Sequence, residues 1–259
     1  MFRNIVHTLH PSLFYLLTAI IYLSFALITY YISTKALDIK RRDNDHLDEV
    51  TSISLSTING GYSILLGFIL LLVWENFHKA LETVVDEGSK LTVIRESSNA
   101  LPLPAAQKIQ ALITQYSQEV TQIEWPAMAH GNSSPQVSQT LGEMYTVMQR
   151  IKLETAEAQN FYTNMITALN EVMEKRNHRL SMINSSIPTA WYLFVFVVAF
   201  VIILLNSILL RRNRLQLCMH LLLVLVISFF LTAITALSYP FSGYISVNKE
   251  QFIHASILK

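Results

Sequence analysis

A chain of 259 residues with 52% hydrophobic and only 14% charged residues falls well short of the ~25% charged residues of an ordinary soluble domain, so lipid forms part of its solvent. The formal net charge of +1 gives no electrostatic basis for nucleic-acid binding. The single cysteine, Cys218, excludes an intrachain disulfide and a cysteine-based metal centre.

Four stretches carry no Asp, Glu, Lys or Arg: Asn4 to Thr34, Val50 to Trp74, Leu180 to Leu210 and Leu215 to Asn248. Each exceeds the roughly 20 residues that cross a bilayer. The expected architecture is therefore an all-α polytopic membrane protein with four transmembrane helices. The first apolar core, Leu13 to Ser33, is longer than a signal-peptide h-region, and no small-x-small cleavage site precedes Lys35. It is expected to remain as a span.

The second span, from about Thr57 through YSILLGFILLLVW, is the richest in Ser, Thr, Asn and Gly. Such a helix suits protein or water neighbours better than lipid on every side. Asn59, Ser63, Gly67, Leu70 or Leu71, Trp74 and His78 recur at steps of three and four, with Glu75 beside Trp74. That stripe suits the wall of an aqueous axis shared by several subunits, where a ring of Glu75 would concentrate cations. It equally suits close helix packing, with Trp74 as an interfacial anchor. On the residues alone both readings stay open, packing being the simpler.

From Phe77 to Ser98, Leu81, Val84, Val85, Gly88, Leu91 and Arg95 keep helical spacing, so span two is expected to continue as an amphipathic helix. Leu101-Pro-Leu-Pro104 ends it. A second helix is expected from Pro104 to about Ile123, with Ile109, Leu112, Ile113, Tyr116, Val120 and Ile123 on one face, stopping at Glu124-Trp125-Pro126. A third carries Val137, Leu141, Tyr145, Met148 and Ile151. A fourth runs from about Glu157 to Asn184 with Phe161, Met165, Leu169, Val172, Met173 and Leu180. Such stripes build a packed antiparallel four-helix bundle. The expected organisation is residues 1–78 for spans one and two, 79–187 for the extramembrane bundle, and 188–259 for spans three and four with a tail.

Within the last two spans, Asn206 reads as a helix-to-helix hydrogen bond and His220, close to Arg214, as an interfacial histidine. His7, His10, His46, His78, His130, His178, His220 and His254 form neither His-x-x-x-His nor His-Glu-x-x-His spacing. With no Gly-rich phosphate loop and no serine elbow, no catalytic residue, metal ligand or cofactor is expected, and Glu124, His130 and Glu143 do not define a reaction. Spans without a buried carboxylate argue against proton-coupled transport and leave passive passage open.

The short connections hold Lys35, Lys40, Arg41 and Arg42, and Arg211, Arg212 and Arg214, whereas the terminal tails offer Arg3, Lys249 and Lys259. The positive-inside rule places those connections in the cytoplasm and the bundle with both termini across a plasma (inner) membrane.

Four segments carry a resemblance: GGYSILLGFILLLVWENFHKALETVVDEGSKL, ALITQYSQEVTQIEWPAM, INSSIPTAWYLFVFVV and ALSYPFSGYISVNKEQF. Their order resembles the bestrophin-like membrane protein family, with Glu124-Trp125-Pro126 and the Pro240, Phe241, Gly243 run as its more specific structural motifs. Bestrophins proper are pentameric ion channels whose second transmembrane helix lines the pore, and Leu66-Gly67-Phe68 with Trp74 beyond it looks like that helix. The resemblance implies a homo-oligomer, a pentamer by analogy, in a lipid bilayer. It also implies permeating ions and a pore wall of Asn59, Ser63, Gly67, Leu70, Leu71, Trp74, Glu75 and His78. The basic short loops depart from bestrophins by putting the bundle on the opposite side. The alternative is a non-conducting sensor or scaffold whose helical domain binds a partner or ligand.

Overall fold

Prolines set many of the helix starts, because fixed φ and a missing N–H suit the first turn of a helix and little else. The computed structural model describes residues 2–37, 45–152, 155–184, 187–210 and 213–256. Of the basic residues in the short connections and the tails, Lys40, Arg41, Arg42, Arg211, Arg212 and Lys259 lie outside the described residues. The helices are α1 (Phe2–Thr8), α2 (Pro11–Leu37), α3 (Asp45–Ser98), α4 (Leu103–Glu119), a π-helical turn (Val120–Glu124), α5 (Trp125–Ala129), α6 (Pro135–Gln149), α7 (Ala156–Ser181), α8 (Thr189–Leu209), α9 (Arg214–Leu237) and α10 (Lys249–Ala255). Thr155, Asn213 and Asn248 cap α7, α9 and α10 by accepting hydrogen bonds from Ala158 N, Leu215 N and Glu250 N.

The chain folds as two compact units, residues 1–75 with 186–238 and residues 76–185 with 239–259. The stretch expected as one piece, 188–259, therefore divides: the tail after α9 joins the bundle, where Phe241, Val247 and Phe252 are buried.

In the first unit, α2, α3, α8 and α9 each provide a segment long and apolar enough to span a membrane. Their shared core holds Tyr22, Tyr62, Leu66, Ile69, Tyr192, Val195, Ile202, Val224 and Leu231. The two buried phenols find partners on α8, Tyr22 donating to the Phe196 carbonyl at 3.3 Å and Tyr62 to the Val195 carbonyl at 2.9 Å. Leu16, Ile20, Ile28, Phe68, Leu193 and Phe229 stay exposed on the outside, the inverse of a water-soluble surface and the expected face toward lipid.

In the second unit one core joins Ala80, Val84, Leu91 and Ile94 of α3 with residues of α4, α6 and α7 and with Phe241 and Phe252. Gly88 marks a close approach: a Cβ there would meet Ala255 Cβ at 2.8 Å and the Phe252 carbonyl at 2.9 Å. Thr92 then donates to the Ala255 carbonyl at 3.0 Å, fixing α10 against α3.

Three expectations for this unit are corrected. The second helix does not stop at Glu124-Trp125-Pro126 but passes through it on the π-helical turn, whose extra residue lets the proline ring continue without a break. That inserted residue shifts the helical register within the turn, so Ile123 is 39% exposed and Glu124 is buried in its place. On α3 Val85, and on α7 Phe161 and Met173, likewise face outward, 38–39% exposed.

Candidate functional site

The predicted stripe lies on α3, and the structure divides it. Ser63, Gly67, Leu71, Trp74, Glu75 and His78 are not buried, and Asn59 and Leu70 are only half-buried. The opposite face of the same stretch, Tyr62, Leu66, Ile69 and Val73, is buried in the first unit. Asn59 turns to α8: its amide and that of Asn206 exchange hydrogen bonds at 3.2 and 3.0 Å, the helix-to-helix bond expected of Asn206. Among the described residues, no atom beyond the adjoining turns of α3 lies within 4 Å of a Cβ built on Gly60, Gly61 or Gly67.

His220 is 3% exposed, packed inside the first unit with Nε2 3.0 Å from Ser207 Oγ.

The second unit contains a charge cluster that spacing alone did not reveal. Arg179 of α7 is fully buried, with Nε donating to Glu87 Oε2 at 2.7 Å and Nη2 donating to Glu87 Oε1 at 3.0 Å and Glu124 Oε2 at 2.9 Å. Its third nitrogen, Nη1, lies 3.0 Å from Met128 Sδ. Arg176 donates to Glu124 from Nε at 3.1 Å and Nη2 at 2.5 Å, and also to the Ser134 carbonyl. Ser134 N and the Tyr116 hydroxyl complete the shell, donating to Glu124 at 3.2 Å and to Glu87 at 2.7 Å.

Two carboxylates and two guanidiniums cancel, which is what permits four such groups in a dry core. Burial alone would raise the Glu124 carboxyl pKa, but the hydrogen bond from Arg176 and the charges of Arg179 and Arg176 outweigh it and hold it below the ordinary value. Burial and then the Glu87 charge push the Tyr116 phenol well up. Arg179 is held more firmly protonated, the carboxylates overcoming the cost of burial.

The π-helical turn aims Glu124 into this cluster and leaves Trp125 beside it, the Arg179 guanidinium 5.7 Å from the indole ring centre. Trp125 meets Phe241 edge-on at 5.9 Å and Phe252 at 6.4 Å. Ser242 donates to the Ala129 carbonyl at 2.7 Å, and Val247 N to the Pro240 carbonyl at 2.8 Å. Gly243, at φ 84°, makes the left-handed turn between these contacts. The two sequence motifs are thus one packing unit. Among the described residues no three of His, Cys, Asp or Glu stand close enough to hold a metal ion.

Glu87, Tyr116, Arg176 and Arg179 were absent from the candidate site residues that spacing singled out. The available signal was register: Glu87 lies between Val84 and Leu91, and Arg176 and Arg179 extend the Met165, Leu169, Val172 face, positions where an apolar side chain is the rule.

An all-α chain with four apolar spans and a helical bundle in the long segment between the second and third is a multi-pass integral membrane protein. It belongs to the Bestrophin-like domain family, which it matches over residues 20–252. Comparison with curated proteins and with solved structures gives no match.

Proposed function

We propose that this protein is an oligomeric ion channel, conducting passively through a central pore walled by the second transmembrane helix, α3. One observation carries the reading. α3 buries its Tyr62, Leu66, Ile69 and Val73 face but leaves Gly60, Ser63 and Gly67 open, with no other described element within 4 Å of a Cβ at either glycine. Each helical glycine costs about 1 kcal/mol relative to alanine, and among the described residues no neighbouring helix meets a Cβ at Gly60 or Gly67 to offset that cost. A second copy of the helix, or water shared between copies, gives these positions a use.

Membership of the Bestrophin-like domain family supports the same reading, with a homo-oligomer, a pentamer by analogy, around the axis. Leu71, Trp74 and Glu75 continue the wall, and Glu75 with no basic residue among them favours cations. The basic short connections favour a bundle on the far side of the membrane from the cytoplasm. Planar-bilayer recording of purified, folded protein tests the proposal: discrete currents are expected, and an oligomeric sample that passes nothing above bare-bilayer background across voltages and salts overturns it in favour of a non-conducting sensor or scaffold.

A further inference from the structure

The spanning part of α3 is apolar on more than one face. Tyr62, Leu66, Ile69 and Val73 are buried, while Ile64, Phe68, Leu71 and Leu72 of the same stretch stay exposed. Lipid tails are as apolar as leucine, so no hydrophobic force chooses between such faces in a bilayer. Shape and directional polar contacts are left to decide which face turns inward.

α3 makes polar contacts with α8 at two places. The Tyr62 hydroxyl donates to the Val195 carbonyl at 2.9 Å, and the amides of Asn59 and Asn206 exchange hydrogen bonds at 3.2 and 3.0 Å. Asn206 Nδ2 also donates to the Ile202 carbonyl of its own helix at 2.8 Å. That bond orients the Asn206 amide and makes it a preset socket for Asn59. On α3, Asn59 is half-buried at the edge between the buried face and the open face of Gly60, Ser63 and Gly67. A turn that carries the small residues inward therefore carries Asn59 off its socket.

Toward the start of α3 the packing opens. A cavity of about 580 Å³ is lined by Ser52 and Leu55 of α3, Leu209 of α8, and Leu215 and Met219 of α9, with Asn206 in its wall. The first turns of α3 have room to move there, and the amide pair stands at the edge of that room.

We propose that the Asn59–Asn206 pair is a latch that sets the rotation of α3. Closed, it holds the Gly60, Ser63 and Gly67 face outward. Released, it allows a part-turn of that face toward α8, where small residues permit close approach. Both asparagines are positioning residues, acting through the face they hold. The effect on current rests on the channel reading; the part-turn of the helix does not.

The test places a nitroxide on Leu65→Cys or Leu70→Cys, half-buried positions on opposite edges of the buried face, in the full chain in nanodiscs with Cys218→Ser removing the native thiol. Asn206→Leu should immobilise the label at position 70 and free the one at position 65, since a part-turn carries one edge in and the other out. Asn59→Leu repeats the test from the other partner, and the double variant should shift the labels no further than either single one. Single-channel conductance should shift in the same variants. Both labels loosening together, as loss of a merely structural bond would give, overturns the proposal, as do labels that stay put or shifts that add in the double variant. Unchanged conductance in a conducting protein whose labels have moved overturns the effect on current. Opposite label shifts support the latch even where the unaltered protein passes no current, a result that counts against the channel reading alone.

Discussion

Arg179 and Glu87 face one another with neither side chain exposed, joined by two hydrogen bonds of 2.7 and 3.0 Å. Removing one partner strands a charge in a dry core, which costs roughly 3–5 kcal/mol, whereas replacing both by apolar or neutral groups is often nearly neutral. Arg179→Met is therefore expected to lower the thermal transition of the purified protein sharply, and the double variant Arg179→Met with Glu87→Gln to recover part of the loss. Intrinsic-fluorescence melts check this. Additive losses in the double variant would mean the pair is not coupled.

The pH dependence of the bundle has a defined sign. Glu124 has a folded pKa below its ordinary value of 4.5, so the unfolded chain binds more protons in the interval between them. Its contribution is fully present above that ordinary value and is lost as pH falls through the folded one. Glu119 acts in the same direction: burial opposes ionisation, but hydrogen bonds from Thr140, Gln115 and Gln136 outweigh it. His178 adds an earlier loss below its ordinary value of 6.5, because burial and then Lys79 and Lys175 depress its pKa. The melting temperature should therefore decline in two stages on acidification, and His178→Asn should flatten the upper stage while leaving the lower.

Gly88 and Gly142 make opposite predictions from the same substitution. Alanine at Gly88 meets Ala255 Cβ and the Phe252 carbonyl below 3.0 Å, and backbone cannot swing aside as a side-chain tip can. A loss of about 1–3 kcal/mol is expected, together with faster proteolytic release of the C-terminal tail. Gly142, exposed in α6 with open space at its Cβ position, should gain up to about 1 kcal/mol from helix propensity. If both variants melt alike, the contact between α10 and α3 is not a close one.

The outward face of α3 yields the functional prediction. Gly67→Lys or Ser63→Asp places a charge on the proposed pore wall, so single-channel conductance or ion selectivity should change, with cations disfavoured by the lysine. Val197→Asn on α8, another exposed position, serves as the control and should leave currents unchanged. Unaltered currents in both α3 variants would remove this face from the conduction path.

How much of this was legible beforehand depended on charge. The four spans were plain because Asp, Glu, Lys and Arg vanish from them, and lipid enforces that rule strictly. The bundle helices were legible wherever their inner faces are aliphatic. The rule fails where a buried position is ionic. Glu87, Arg176 and Arg179 read as solvated surface, since a residue-by-residue reading sees each charge but not the partner that cancels it. Ile123 was misplaced for a different reason: a π-helical turn shifts the register by one residue, and regular periodicity has no means of anticipating it. The stripe from Ser63 to Trp74 is readable as a face, but whether that face packs inward depends on which neighbours α2, α8 and α9 bring to it, and spacing along one helix does not carry that information.

The contacts of Trp125 with Phe241 and Phe252 also set an order of events during synthesis. Domains generally fold as units while the chain is still emerging, but this bundle lacks part of its own core until α9 has been made and the tail behind it released. Throughout that interval the indole of Trp125 and the notch at Gly88 stand uncovered. A chain terminated before Phe241 keeps both without their partners, so the tail acts as the closing piece of a core laid down some hundred residues earlier.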